Sequence, residues 1–580
     1  MSESSSSTQV LPAPAPDAEH GLGNNFLRRL GLRDRLLLVA VVLACLLPFS
    51  GKAFRIDDPL FVWSAQQITQ HPLNPYGFQA NWYETLMPVS QITKNPPLGC
   101  YYGALIGLLA GWSERAWHLG FLLVTLAMVL GTYRLAKHFT RYPLIASLAA
   151  LLTPGILVSA SGVMCDVMML AFWVWAAVFW IEGLEPGDPV SLATSAVLIA
   201  ASALTKYFGA ALIPLLVIYS LMRKRRLGAW AWYLAIPVVS LAGYQIWTHM
   251  LYGRGLLGDA AQYALVLRTG THITLAATVL SGVAFVGGCA LTGLTTAPAL
   301  WPRRAIVIGV MACGLLGALV RFGFFQFDIP EAQTHWNLIS IQFALFLAGG
   351  FSILALAICD LVEARDADSM FLGIWVAGTF VFACFVNWTI NARSILPLIP
   401  AAAILLARQL ERNERLQSKS RRPQVALALV LSGLVSVWVL AADTELANSA
   451  RTAATDAVQF ARQAPNIFFE GHWGFQYYMQ LAGARALDRR SAVLRSGDVL
   501  VVPEDNANVF LAFPERSEFL RSDTVLFVPL RSGISIMSRS HAAGFYSAST
   551  DGPLPFVFGA ATPGRYHLYW PLRTIRVLPR

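Results

Sequence analysis

The chain has 580 residues, of which 56% are apolar and 13% charged, with a formal net charge of +10. Soluble proteins draw about 25% of their residues from Asp, Glu, Lys and Arg, and a globule of this size cannot hide so much apolar surface behind so few charges. A cytosolic enzyme, a disordered chain and a disulfide-knotted scaffold are therefore excluded, leaving a polytopic α-helical membrane protein. The positive charge does not form the basic face that nucleic acid requires. Most of the arginine sits in short loops between apolar runs, where membrane topology accounts for it.

Residues 1–30 begin with a Ser-, Pro- and Ala-rich stretch and read as a disordered cytoplasmic tail. Arg28, Arg29, Arg33 and Arg35 then precede the first apolar run, which places the N-terminus in the cytoplasm. A crossing needs about 20 apolar residues, and on that measure about thirteen spans follow. They lie near 34–52, 116–136, 143–160, 163–183, 189–204, 207–222, 229–248, 272–292, 305–322, 337–360, 370–389, 395–410 and 424–442.

The apolar run 97–112 is left out of that series. Were it to cross, the basic loops at 134–141, 223–226, 302–304 and 408–422 would not share the cytoplasmic side. It is read instead as a helix lying on or dipping into the outer leaflet. Residues 31–442 then form the membrane module, with 54–115 as its first extracytoplasmic loop carrying surface helices. Residues 443–580 then lie on the extracytoplasmic side.

That last segment changes character. Its short apolar runs at 466–470, 498–503, 524–529 and 566–570, with a helix-like stretch at 474–488, predict a small α/β domain. The seven cysteines lie in apolar runs and form no CxxC pair, so neither a zinc site nor a disulfide framework is indicated.

Charges that topology does not explain mark the candidate site. Asp57 and Asp58 follow the first span. Pro59 suits the first turn of a helix, so one reading makes Asp58 an N-cap. The other makes the pair a base, since a partly desolvated carboxylate beside a second one has a raised pKa. Lysine is scarce, yet Lys52, Lys94 and Lys206 fall on the outer side against the charge bias. An ammonium at headgroup depth can hold a phosphate or snorkel to lipid; snorkelling is favoured for Lys52 and phosphate binding for Lys94. Asp166 opens a later span, where a carboxylate is costly and usually functional. Arg393 stands on a short outer loop. These charges gather at one membrane surface.

The motif order resembles the GT-C fold glycosyltransferases. It consists of the acidic pair, then Lys94-Asn95 before Pro96-Pro97-Leu98-Gly99 with Tyr101, then Asp166, then Leu204-Thr205-Lys206-Tyr207-Phe208-Gly209, and finally Arg393 before Leu396-Pro397 and Pro400. The chain is most similar to the bacterial relatives of aminoarabinose transferase and protein O-mannosyltransferase, over roughly residues 30–410. The resemblance implies a polyprenyl-phosphate-linked sugar donor and a site on the outer face of a bacterial-type inner membrane. It also implies Asp58 as general base with Asp57 as its neighbour, and Asp166 as the second catalytic carboxylate. The aminoarabinose branch carries Glu-Lys before Pro-Pro, whereas here the order is Lys94-Asn95, so the basic residue is shifted by one place.

The expected activity is inverting transfer of a hexosyl or pentosyl group to a hydroxyl of a lipid, glycan or protein. Lys94, Asn95, Tyr101, Lys206 and Arg393 are the expected substrate-binding residues. No cofactor or metal motif is indicated, though Asp57, Asp58 and Asp166 could share a divalent cation. The alternative is a transporter or flippase for a lipid-linked glycan. Transporters favour inverted repeats and midplane polar groups, and neither is evident. A scaffold role would leave Asp58, Lys94 and Asp166 without a purpose.

Overall fold

The computed structural model describes residues 17–269, 274–325, 327, 335–417, 420–504, 506, 520–559 and 561–576. Residues 1–16 of the expected tail lie outside these, and helix α1 runs Asp17–Leu46. The first loop holds α2 (Asp58–Gln70), a short hairpin pairing 79–81 with 86–88, and α3 (Leu98–Ala110). Helix α3 has 13 residues, too few to cross a bilayer at 1.5 Å per residue.

The membrane helices follow as α4 (Glu114–Ala136), α5 (Pro143–Leu151), α6 (Pro154–Ala160), α7 (Asp166–Leu184), α8 (Pro189–Thr205), α9 (Tyr207–Lys224) and α10 (Trp230–Tyr252). Then come α11 (Leu256–Thr269), α12 (Leu275–Cys289), α13 (Arg303–Arg321), α14 (Trp336–Ala364), α15 (Ala367–Val386), α16 (Ala392–Gln417) and α17 (Arg422–Phe460). Among the described residues nine helices are long and apolar enough to cross a membrane, or ten with the bent pair α5–α6. The expected count of about thirteen also drew on α1 and on the short apolar helices α8 and α12, whose 17 and 15 residues fall short of a crossing.

Local sequence explains the breaks. Asp188 caps α8 by accepting from the Val190 and Ser191 N–H groups, with Pro189 in the first turn. Helices α5 and α6 bend by 65° ahead of Pro154, which has no N–H to continue the ladder. The Leu152 carbonyl at that bend accepts from the Ser432 and Ser436 hydroxyls of α17, at 2.6 and 3.2 Å. Without such partners a backbone carbonyl in hydrocarbon is costly. Exposed faces are apolar because their solvent is lipid: Val307, Ile308, Val310, Met311 and Leu315 stand out from α13.

Helix α17 has 39 residues and runs unbroken from the membrane module into the C-terminal region. There β1 (Ile467–Phe469), α18 (Trp473–Leu481), β2 (Arg485–Ala486), β3 (Val499–Pro503), β4 (Leu520–Val528) and β5 (Gly564–Pro571) build a mixed sheet of order β2-β1-β3-β5-β4. β1 pairs in parallel with β2 and β3, and β5 antiparallel with β3 and β4. Phe469, Phe475, Met479, Val499, Val501 and Leu568 form its core. The helix expected over 474–488 stops at Leu481, because Gly483 takes φ +92° just past its end.

This region is docked on the first loop. Gln476 Nε2 donates to the Asn81 carbonyl at 2.8 Å, and Arg489 pairs with Glu84 at 2.5 Å. The chain after β4 returns across the ends of the membrane helices. The Ala392 N–H donates to the Phe545 carbonyl at 2.9 Å, and the Ala548 N–H to the Ile390 carbonyl at 2.8 Å.

Candidate active site

The site is built where the first loop, the α6–α7 junction, the α8–α9 junction and the start of α16 meet. Residues 55–58 make a reciprocal turn. The Asp58 N–H donates to the Arg55 carbonyl at 3.0 Å, and the Arg55 N–H donates to Asp58 Oδ2 at 2.8 Å. Ile56 inside the turn has φ +51°, a left-handed conformation that costs a β-branched residue about 1–3 kcal/mol.

Asp58 is not the N-cap that its position before Pro59 suggests. Helix α2 begins at Asp58 itself, and its carboxylate turns back to the loop. Oδ1 accepts from the Val163 N–H at 3.1 Å, so the group bridges the first loop and the α6–α7 junction. Asp58 is only 1% exposed. Burial pushes its pKa up to about 6, against the Arg55 N–H, the Lys52 charge and the Val163 N–H, which favour the ionised form.

Asp57 faces more open space, at 28% exposure, and accepts from Arg393 Nη1 at 3.0 Å. The Arg393 Nε is buried and has no hydrogen-bond partner among the described residues. Asp166, the first residue of α7, is 2% exposed and forms an ion pair with Lys206. Lys206 lies between α8 and α9 in extended backbone (φ −150°, ψ 132°), which frees its side chain to turn toward α7. The Arg393 guanidinium also acts on the Asp166 charge. Asp57, Asp58, Arg393, Asp166 and Lys206 therefore form one alternating cluster.

Other expected residues lie apart from it. Lys94 Nζ contacts Asp259 Oδ2 at 2.5 Å and the Gln91 carbonyl at 2.9 Å, and stands 5.2 Å from the centre of the Tyr263 ring. Its link to the carboxylates is indirect: Tyr263 and its partner Tyr83 both lie in the field of Asp57. The Asn95 carbonyl accepts from Tyr76 Oη at 2.9 Å, and Tyr101 Oη donates to the Pro72 carbonyl at 2.5 Å. Those bonds stay within the first loop. Lys52 does not snorkel. It is 2% exposed and donates to Asp443 Oδ2 at 2.5 Å and Ser161 Oγ at 2.9 Å.

Sequence reading missed Asp443, Arg55, Tyr546 and Asp259. Asp443 had a visible signal, being a carboxylate at the end of the long apolar run of α17. Asp259 had none, because its partner Lys94 is 165 positions away. Among the described residues no group of three or more His, Cys, Asp or Glu is arranged to hold a metal ion. The three carboxylates meet Arg393, backbone N–H groups and Lys206 instead.

No curated protein sequence matches the chain. Among solved structures it is similar to ArnT from Cupriavidus metallidurans bound to undecaprenyl phosphate, with 16% identity, 81% of this chain and 93% of that chain covered, and a TM-score of 0.45. It is also similar to the Archaeoglobus fulgidus oligosaccharyltransferase in its apo form (12% identity, 79% and 64% covered, TM-score 0.46). The arabinofuranosyltransferase AftD from Mycobacteria matches with 14% identity, 95% and 40% covered, and a TM-score of 0.35. Residues 94–247, the stretch that holds Lys94, Asn95, Tyr101, Asp166 and Lys206, match the family of dolichyl-phosphate-mannose-protein mannosyltransferases, and the resemblance to lipid-phosphate-dependent glycosyltransferases stands on that match.

Proposed function

We propose that the protein transfers one sugar from a polyprenyl phosphate to an acceptor hydroxyl, at the extracytoplasmic face of a bacterial inner membrane. The observation that carries this reading is the buried cluster itself. A carboxyl with its pKa near 6 stands beside two carboxylate–cation pairs, at the end of the bundle opposite the basic loops. The match over 94–247 supports the donor class. On this reading 31–442 is the catalytic membrane module and 443–580 an extracytoplasmic α/β domain closing over it.

Asp58 takes the acceptor O–H proton as that oxygen attacks the anomeric carbon. The bond from that carbon to the phosphate oxygen breaks, and the polyprenyl phosphate leaves with the electron pair. Arg393, through its free Nε, and Lys206 offset the charge on the leaving phosphate, while Asp57 and Asp166 hold those two cations in place. One displacement inverts the anomeric centre. General-base assistance is worth about 10²–10⁴ in rate, and fixed cations add a factor of similar order. Lys94, Asn95 and Tyr101 shape the donor side of the first loop.

Exposure favours a second reading in which Asp57, the more open carboxylate, accepts the proton and Asp58 orients the turn. The test uses membranes containing the protein and a panel of radiolabelled polyprenyl-phosphate hexoses and pentoses. Transfer abolished in folded Asp58→Asn but retained in Asp57→Asn supports the first reading, and the reverse supports the second. Uptake of label with no transfer from any donor sinks both and favours a transporter.

A further inference from the structure

A second buried charge cluster lies directly behind the carboxylates. Asp443 on α17 is fully buried. Its Oδ2 meets Lys52 Nζ at 2.5 Å, and its Oδ1 meets Arg55 Nη1 at 2.5 Å and accepts from Tyr546 Oη at 2.9 Å. The Asp443 carbonyl takes a further bond from Arg55 Nη1 at 3.2 Å. The Arg55 guanidinium also stands 5.0 Å from the centre of the Tyr546 ring. One side chain thus joins the first loop, the longest helix and the C-terminal region.

Both walls of the Asp58 cradle hang from this node. The Arg55 N–H donates to Asp58 Oδ2. Lys52 Nζ donates to Ser161 Oγ at 2.9 Å, two residues before Val163, whose N–H donates to Asp58 Oδ1. Asp443 is also the carboxylate that occupies Lys52 and Arg55. Without it, Lys52, whose charge already acts on Asp58, would have that carboxylate as its anion, and a carboxylate engaged by an ammonium is a poorer base.

We propose that Asp443 is a positioning residue: it anchors Lys52 and Arg55 so that the Asp58 carboxylate is held by backbone N–H groups, and it ties that cradle to the C-terminal region through Tyr546. This rests on Asp58 being the base. The groups acting on Asp58 are Lys52 and Asp57 from its own stretch and Tyr546 from the C-terminal region, with Asp443 and Arg393 reaching it through Lys52 and Asp57.

The test measures transfer against pH, with the panel donor that the wild type uses. Asp443→Asn should lower kcat by up to about a hundredfold, the loss that a misplacement of ~1 Å at a reacting group causes, with little change in KM for the donor. Its acidic limb should move to lower pH, because Lys52, whose charge already acts on Asp58, turns to it. The double variant Asp443→Asn with Lys52→Gln carries one fewer buried cation and keeps the question open should the single variant fail to fold. Its limb should move to higher pH. A purely structural role would lower the active fraction and leave both limbs in place. Added to Asp58→Asn, Asp443→Asn should cost nothing further, since residues acting through one group are not additive. Wild-type kcat and limb in the folded Asp443 variants, with Asp58→Asn inactive, overturn this inference alone. Wild-type turnover by Asp58→Asn overturns the base assignment itself.

Discussion

Arg393 Nη1 donates to Asp57 Oδ2 across 3.0 Å, joining residues 336 positions apart in the chain. The pair locks the start of α16 against the first loop and leaves the Arg393 Nε unspent. Arg393→Ala is expected to slow transfer about ten- to hundredfold, as loss of a charge-assisted contact of about 1.5–3 kcal/mol requires. Arg393→Lys should recover little, because an ammonium cannot serve Asp57 and a phosphate in one plane. Transfer kinetics on folded protein decide it, and an unimpaired Arg393→Ala would remove Arg393 from the site.

The pKa of Asp58 sets two opposed pH dependences. A base must be ionised, so transfer should fall about tenfold per pH unit below about 6 and level off above it. Stability runs the other way. Folding raises this pKa from 3.8, so between about 4 and 6 the folded state holds more protons than the unfolded one. The contribution of Asp58 to stability therefore declines as pH rises through that window and is at its least favourable above about 6. A rate profile flat down to pH 4.5 would contradict the assignment.

Lys94 is held by Asp259 rather than free. If Lys94 meets the donor phosphate it must leave Asp259 to do so, and Asp259→Asn should lower KM for the donor several-fold. Lys94→Ala should raise KM about tenfold, within the ~1.5–3 kcal/mol of an ionic hydrogen bond. Equal KM values in wild type and both variants would leave the ion pair a structural link between α11 and the first loop.

Asp166 is 3% exposed at its side chain and Lys206 is 24% exposed. Lys206→Met should destabilise the protein by about 1–3 kcal/mol, because it removes the hydrogen-bonded partner of a buried carboxylate and leaves it only the Arg393 charge. Adding Asp166→Asn should restore the melting temperature without restoring transfer. Full activity in the charge-free double variant would show the pair to be structural only.

Gly474 packs where a Cβ would collide with the Phe54 carbonyl oxygen, an atom of the first loop that cannot yield. Gly474→Ala should cost about 1–3 kcal/mol or more and loosen the C-terminal region from the loop. Hydrogen exchange at Phe54, whose N–H donates to Tyr478 Oη at 2.9 Å, would report the loosening. Unchanged protection there would mean that the docking survives on its other contacts.

Composition alone determined that the chain is a multi-pass membrane protein, because lipid-facing faces demand apolar side chains wherever a helix crosses. Short loops of arginine and the break before Pro189 were legible for the same reason, topology and helix chemistry being local, whereas 143–160 read as one span and the structure bends it by 65° ahead of Pro154. The four main strands of the C-terminal sheet were legible too, from their short apolar runs. The Asp57–Asp58 pair, Asp166, Lys206 and Arg393 could be singled out because a charge near hydrocarbon is costly wherever it stands.

Which of these charges meet was decided by tertiary structure. Lys52 and Lys94 look alike in sequence, yet one is buried on Asp443 and the other sits on Asp259. Asp58 reads as a helix cap beside Pro59 until the turn at Ile56 sends its carboxylate back to Arg55 and across to Val163. Ion pairing depends on separation in space and on burial, and partners here lie from 40 to 391 positions apart along the chain. Local pattern carries no information at that range; only the packing of α6, α7, α16 and α17 against the first loop supplies it.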